Sequence, residues 1–303
     1  MTIFLYILVI LIWGTTWFSI KFQLGVVPPE ISVSYRFYLA SAILFGICLI
    51  RKIPIKVKPS KLLPIFALGT CMFGINYLLT YITTQYLTSG IVALLFSLLS
   101  VVNVINFRIF LKRKPGWFVW IGSCIGVLGV ALVFETELNR MSWTEATFKG
   151  LGFGIVATYF ASIGNIIAQK IQDKKATRIM ITNAYGMAFG ATINLLYGLV
   201  IRGDSLVFDP RPSYAISMVY LSIMGTVVAF GAYLSLIDRI GADRAAYTSI
   251  IIPIVALFVS SLYENFQWTL YSMIGICLVI VGQVALRLQT KHLKKLKLYR
   301  SRT

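Results

Sequence analysis

Charge is what this 303-residue sequence has least of: 13% of its residues are Asp, Glu, Lys or Arg, against 58% that are hydrophobic. A soluble globular domain carries about a quarter charged residues, so composition excludes that class and makes lipid the solvent for most of the chain. Histidine occurs once, at His292 in a basic terminal segment, which removes histidine-based catalysis and His-rich metal sites. The four cysteines, Cys48, Cys71, Cys124 and Cys277, stand singly in apolar stretches without CxxC spacing. They indicate neither a disulfide framework nor a thiolate metal site and read as small core residues. There is no HExxH and no paired-Asp motif. A membrane-embedded enzyme needs a metal set, an acid–base pair or an activated nucleophile, so that class is disfavoured, and no cofactor is expected. Long loops are missing too. The largest, near residues 51–61, 135–148 and 202–212, are too short to fold separately and hold a site outside the membrane.

Apolar runs are what fill the chain. A bilayer core about 30 Å thick needs roughly 20 apolar residues per helix. Runs of that kind lie near residues 3–22, 31–50, 62–82, 88–111 and 117–134, then near 148–169, 179–201, 213–237, 245–263 and 269–287. The first has no basic segment before it and no small-x-small cleavage site after it, so it is expected to be a retained span. Residues 117–130, WFVWIGSCIGVLGV, reappear in outline at 270–283, LYSMIGICLVIVGQ, with Ile, Gly, Cys and a second Gly at a constant offset of 153. The chain is therefore a tandem duplication. Five spans per copy is an odd number, so the second copy enters the bilayer inverted, an arrangement typical of transporters.

Lysine and arginine accumulate in cytoplasmic loops. With the N-terminus inside, the internal loops hold Arg51 to Lys61, Arg108 to Lys114, Lys170 to Arg178, and Arg239 with Arg244, and the tail adds Arg287 to Arg302. Of 28 basic residues, only Lys21, Arg36, Arg140, Lys149, Arg202 and Arg211 fall on or near the other side. The expected fold is an all-α membrane protein of ten transmembrane helices as two inverted five-helix repeats, residues 1–138 and 148–288. A basic cytoplasmic tail follows at 289–303, and both termini lie inside. The formal charge of +18 is split among short loops that abut apolar runs, with no nucleic-acid-binding motif, so no nucleic-acid partner is expected. The tail can instead lie on anionic headgroups, at about 1 kcal/mol per basic residue, or act simply as a positive-inside anchor.

Side-chain hydroxyls and amides in lipid need a partner helix or a wet cavity. Thr158, Ser162, Asn165 and Gln169 form one face of span 6. Span 4 carries Ser97, Ser100 and Asn103, with Asn106 one step on; span 3 carries Asn76, Thr80 and Thr83 or Thr84. Spans 1, 8 and 9 add Trp13, Thr15, Thr16 and Ser19; Ser222, Thr226 and Tyr233; and Ser249, Ser260 and Glu264 around Pro253. Any one of these is explained by back-bonding to a carbonyl or by interhelical packing. Six stripes over both halves point to a central polar cavity lined by spans 1, 3, 4, 6, 8 and 9. Spans 2, 5, 7 and 10 read as scaffold, with small-residue faces at Gly122 and Gly126, Gly186 and Gly190, and Gly275 and Gly282.

Aromatic residues beside the polar faces, Trp13, Trp17, Tyr77, Tyr81, Tyr159, Tyr233 and Tyr247, can stack a ring or hold an ammonium, or belong to interfacial belts. Trp13, near mid-depth, fits a belt worst. Lys21, Arg36 and Glu264 lie toward outer ends of spans, where a charge costs less than at mid-depth. Lys21 and Arg36 either attract a substrate carboxylate or pair with Glu30 and Glu264. Candidate substrate-binding residues are Trp13, Thr16, Asn76, Tyr77, Ser100, Asn103, Tyr159, Ser162, Asn165, Tyr233, Tyr247 and Pro253, with Lys21, Arg36 and Glu264 as a charged outer vestibule. No metal ligands are expected.

WGTTWFSIKF at residues 13–22, followed by Pro28, Pro29, Arg36 and Phe37, resembles the first-repeat opening of the EamA-type branch of the drug/metabolite transporter superfamily. Residues 240–282, with Pro253, Glu264, Gly275 and Gly282, resemble its second-repeat signature. At the offset of 153, Ser100 stands opposite Pro253 and Leu111 opposite Glu264. The first repeat therefore lacks the proline and the acid. The resemblance implies a secondary transporter in a bacterial inner membrane that exports an amino acid or related small metabolite by alternating access. Some members instead import nucleotides, cofactors or other metabolites, and multidrug efflux is a further alternative. A channel would need an acidic or carbonyl-lined filter, which the scattered amides and hydroxyls do not suggest. The expected partners are the bilayer and a small-molecule substrate, the protein being a monomer or weak homodimer.

Overall fold

The computed structural model describes residues 1–112, 115–141, 144–171, 176–245 and 247–300, with side chains over these ranges except 136–141, 176–177, 242–243 and 286–300. Arg113, Lys114, Arg140, Lys174, Lys175 and the side chains of the basic tail lie outside that set. Among the described residues every regular element is helical. Eight helices are long and apolar enough to cross a bilayer: α1 (Thr2–Lys21), α2 (Pro29–Ile50), α3 (Pro59–Tyr86), α4 (Ser89–Leu111), α5 (Trp117–Glu135), α6 (Glu145–Ile171), α7 (Arg178–Arg202) and α8 (Pro212–Ile240). Two shorter apolar helices follow, α9 (Thr248–Tyr263) and α10 (Leu270–Ala285), the latter continuing as helical backbone to Arg300. The chain is an all-α, multi-pass membrane protein.

Local sequence sets the helix ends. Pro29, Pro59 and Pro212 begin α2, α3 and α8, where a missing N–H costs nothing and a fixed φ favours the first turn. Gly203 and Gly241 follow the ends of α7 and α8 at φ of 72° and 81°, backbone that side chains with a Cβ rarely adopt.

The most extensive helix contacts recur when the first five helices are exchanged for the last five. Helix α1 lies on α8 and α9, as α6 lies on α3 and α4; α2 lies on α8 as α7 lies on α3. Three further pairs map onto themselves, α2 with α7, α4 with α9 and α5 with α10. The α5–α10 seam shows the geometry residue by residue. A Cβ on Gly129 would sit 2.5 Å from the carbonyl oxygen of Gly275, and one on Gly282 would sit 2.5 Å from that of Gly122. Position 122 corresponds to 275 and 129 to 282, so each glycine faces the counterpart of the other and the two helices run antiparallel. Gly69 and Gly190 bring α3 and α7 equally close. The small-residue faces read from sequence thus act in scaffold contacts, one of them reaching α3.

Both α3 and α8 contain a π-helical stretch, Thr70–Ile75 and Tyr220–Val228, at equivalent places in the two halves. Extra residues of this kind inside helices concentrate at functional sites. Helix α4 is interrupted at Leu98, between Ser89–Ser97 and Leu99–Leu111, although it lacks the proline that its counterpart α9 has at Pro253. Gln283 of α10 explains the break: its Nε2 donates to the Ser97 carbonyl at 2.8 Å, and its Oε1 accepts from the Ser100 hydroxyl at 2.9 Å. A side chain inserted into the backbone ladder bends a helix without proline.

Candidate functional site

Most of the residues singled out from sequence gather in three places. The first is where α1, α2, α3 and α8 meet. Trp13 donates its Nε1–H to the Gly225 carbonyl at 3.1 Å, inside the π-helical stretch of α8, and its ring lies 5.2 Å from Tyr233 and 5.4 Å from Phe230. Thr16 is buried opposite Gly225, and the hydroxyls of Thr15 and Tyr220 are 2.6 Å apart. Arg36 is buried beneath them, its guanidinium carbon 4.9 Å from the Tyr77 ring centre and 5.2 Å from that of Phe37. Its Nη1 donates to the Tyr81 hydroxyl at 3.5 Å, which in turn donates to Gln23 Oε1 at 2.7 Å.

The second place lies between α3, α4, α6 and α7. A cavity of about 820 Å³ is lined there by Asn103, Asn165, Gln169 and Asn183 among apolar residues such as Leu68 and Phe107, within the range of ligand pockets. Asn165 Nδ2 donates to Asn103 Oδ1 at 3.3 Å, and Asn106 Nδ2 to the Ser162 hydroxyl at 2.9 Å. The α4 and α6 stripes therefore face each other. Asn76 sits at the end of the α3 π segment, donating to the Met72 carbonyl at 3.1 Å; its buried Oδ1 has no partner.

The third place is at the opposite end of α4. Glu264, at the C-terminal end of α9, pairs with Lys21 and accepts hydrogen bonds from the Ser89 N–H and hydroxyl, the N–H lying 3.0 and 3.1 Å from its two oxygens. A carboxylate on the first turn of α4 is favoured by the unpaired N–H groups and the helix dipole. From Ser89 to Asn103 is fourteen residues, about 21 Å at 1.5 Å per residue, so this cluster and the cavity occupy opposite ends of one helix.

The expected ion pairs are only partly as anticipated. Lys21 takes Glu264, but Glu30 takes Arg202, at 3.4 Å. Arg36 has no carboxylate within ion-pair reach among the described residues. Tyr159 is 43% exposed and meets Phe160 edge-on. Tyr247 precedes α9, and Pro253 is buried within it. Three participants were passed over in the sequence: Gln23, Tyr81 as a hydrogen-bonding group, and Gln283. Gln23 lies just beyond span 1 and Gln283 in a helix read as scaffold; a lone amide in an otherwise apolar span was the available signal for Gln283. Outside the spans, Arg211 holds the Asp209 carboxyl below its usual range through a 2.7 Å hydrogen bond from Nε, and its Nη2 reaches the Leu24 carbonyl at 3.3 Å. That ties residues 203–211 to the turn that follows α1.

Comparison with known proteins agrees with this architecture. A crystal structure matches with a TM-score of 0.69 at 14% identity, over 96% of this chain and 98% of that one, and shows a shared fold. Protein PagO of Salmonella typhimurium is 25% identical over 285 residues, covering 92% of this chain and 90% of its own. An uncharacterized transporter of Bacillus subtilis, YoaV, is 24% identical over 90% of this chain and 92% of its own. An uncharacterized inner membrane transporter of Escherichia coli, YedA, is 25% identical over 89% of this chain and 87% of its own. The model of the EamA-like transporter family matches twice, over residues 1–135 and 148–288. The two matches together span nearly the whole sequence, and the chain belongs to the EamA-like transporter family.

Proposed function

We propose that this membrane transporter is a ten-span secondary transporter of a bacterial inner membrane, built from two inverted repeats with both termini in the cytoplasm. It exports an amino acid or related small metabolite by alternating access. The observation that carries this reading is the pairing of an 820 Å³ amide-lined cavity at one end of α4 with the Lys21–Glu264–Ser89 closure at the other. Under the positive-inside orientation the cavity opens to the cytoplasm and the closure faces outward, as an exporter awaiting its load requires. The recurrence of the principal helix contacts between the two halves supports the same reading, since paired repeats are a common frame for alternating access.

The test is tracer flux in proteoliposomes loaded with labelled amino acids, combined with a short thiol crosslinker between cysteines placed at Lys21 and Glu264. Flux is expected in the uncrosslinked protein and its loss on crosslinking, while a cysteine at Asn183 stays reactive throughout. No flux for any amino acid, or flux indifferent to the crosslink, rejects the proposal.

A further inference from the structure

Arg36 lies seven residues inside α2, about 10 Å from its first residue, and is 2% exposed. The nitrogens of its guanidinium are poorly served. Nη1 has only the long contact to Tyr81, and Nε has no partner. Tyr81 donates its own hydrogen bond to Gln23, whose side chain is fully buried and whose Nε2 again finds no acceptor. The chain of donors from Arg36 through Tyr81 to Gln23 thus contains unfilled N–H groups and no anion. Leaving a buried charge unpaired costs roughly 3–5 kcal/mol, and each buried orphan donor about 1–3 kcal/mol. The Tyr77 and Phe37 rings return only about 0.5–2 kcal/mol by cation–π attraction. Ionisable residues kept at such a cost inside a membrane are rare and mark functional sites, substrate paths among them.

Next to the guanidinium, α8 presents a bare backbone. Gly225 lies in the π-helical stretch, and a Cβ there would come within 3.8 Å of Arg36 Nη2 and 2.8 Å of Thr16 Cγ2. Movement of α1 and α8 away from α2 would therefore open the guanidinium side-on. A carboxylate takes two parallel N–H bonds from a guanidinium, and the free Nε–H is one such donor.

We propose that Arg36, with Tyr81 and Gln23, receives the carboxylate of the transported solute, and that the aromatic surface of Trp13, Tyr77 and Tyr220 receives its apolar body. This rests on the transporter reading and narrows it: the solute is an acid or a zwitterion, and a purely cationic compound is rejected by the unpaired charge.

The experiment is a thermal-shift titration of the full-length protein with apolar L-amino acids, each beside its carboxamide and its decarboxylated amine, and with chloride and phosphate as inorganic controls. The acids are expected to stabilise, and the amides and amines to bind at least tenfold more weakly. Gln23→Glu supplies an internal carboxylate to the same donors; it is expected to raise the Tm of the empty protein and to abolish stabilisation by the acids. Arg36→Lys keeps the charge but loses the fork, and is expected to weaken acid binding at least tenfold. Equal binding of acid and amide, no shift with any acid, equal stabilisation by chloride or phosphate, or acid binding unaltered in Gln23→Glu overturns the proposal. Flux separates it from the reading beneath it. Transport that Arg36→Lys leaves unchanged removes the carboxylate site and keeps the transporter; acid binding lost in Gln23→Glu, with no flux in the unmodified protein, does the reverse.

Discussion

Glu264 has partners that offset the cost of an ionised group in lipid, and Arg36 does not. Glu264 lies where α4 begins, so one carboxylate satisfies a backbone N–H, a hydroxyl and the Lys21 ammonium together. Hydrogen bonds to a charged group contribute about 1.5–3 kcal/mol each, and Lys21, a third exposed, adds only a solvent-discounted share. Glu264→Gln is therefore expected to lower stability by about 1–3 kcal/mol, read as a lower Tm in detergent, and to increase labelling of a cysteine at Ser89 by a membrane-impermeant thiol reagent. An unchanged Tm and unchanged labelling would show that the closure is not held by this carboxylate. The sequence named Lys21, Arg36 and Glu264 because charges in apolar runs stand out. It did not reveal that Glu30 would be taken by Arg202, because that pairing depends on where the end of α7 lies relative to α2.

At the scale of helices, period and composition located nearly every element, and the glycine faces were legible as packing surfaces. Which glycine bears the contact was not. Gly126 has open space where its Cβ would go, whereas Gly129, Gly275 and Gly282 would drive a Cβ into opposing backbone. Overpacking of this kind costs on the order of 1–3 kcal/mol, while Gly→Ala in an open helical position gains up to about 1 kcal/mol in propensity. Gly126→Ala is therefore expected to express and melt like the parent, or slightly better, and Gly282→Ala to melt lower, as measured by fluorescence-detected size-exclusion chromatography after heating. The reverse order would show that the α5–α10 seam is misplaced. The break in α4 follows the same logic. Ser100 stands where the second half has Pro253, so α4 carries no proline of its own, but Gln283 interrupts it from outside, and a residue on another helix leaves no mark in α4's own sequence.

The whole molecule reads as a duplicated bundle whose halves exchange their contacts. Orientation is the property the lysines and arginines address directly. A cysteine replacing Asp204, in the 203–211 segment, is expected to react with a membrane-impermeant thiol reagent on intact cells. One replacing Lys56 is expected to react only after permeabilisation. Equal reaction at both positions would refute an orientation with both termini inside.

The sequence by itself determined that the chain is helical and membrane-embedded, that it is duplicated, and which residues are polar within apolar spans. Each of these follows from composition and from the length and period of runs, which are local quantities. Only the tertiary structure decided that the α4 and α6 stripes share one cavity and that Glu264 rather than a bound solute occupies the start of α4. It alone left Arg36 without an acid among the described residues. Those outcomes depend on which helix faces meet across the bundle, and the residues that meet are separated by tens to hundreds of positions in the chain.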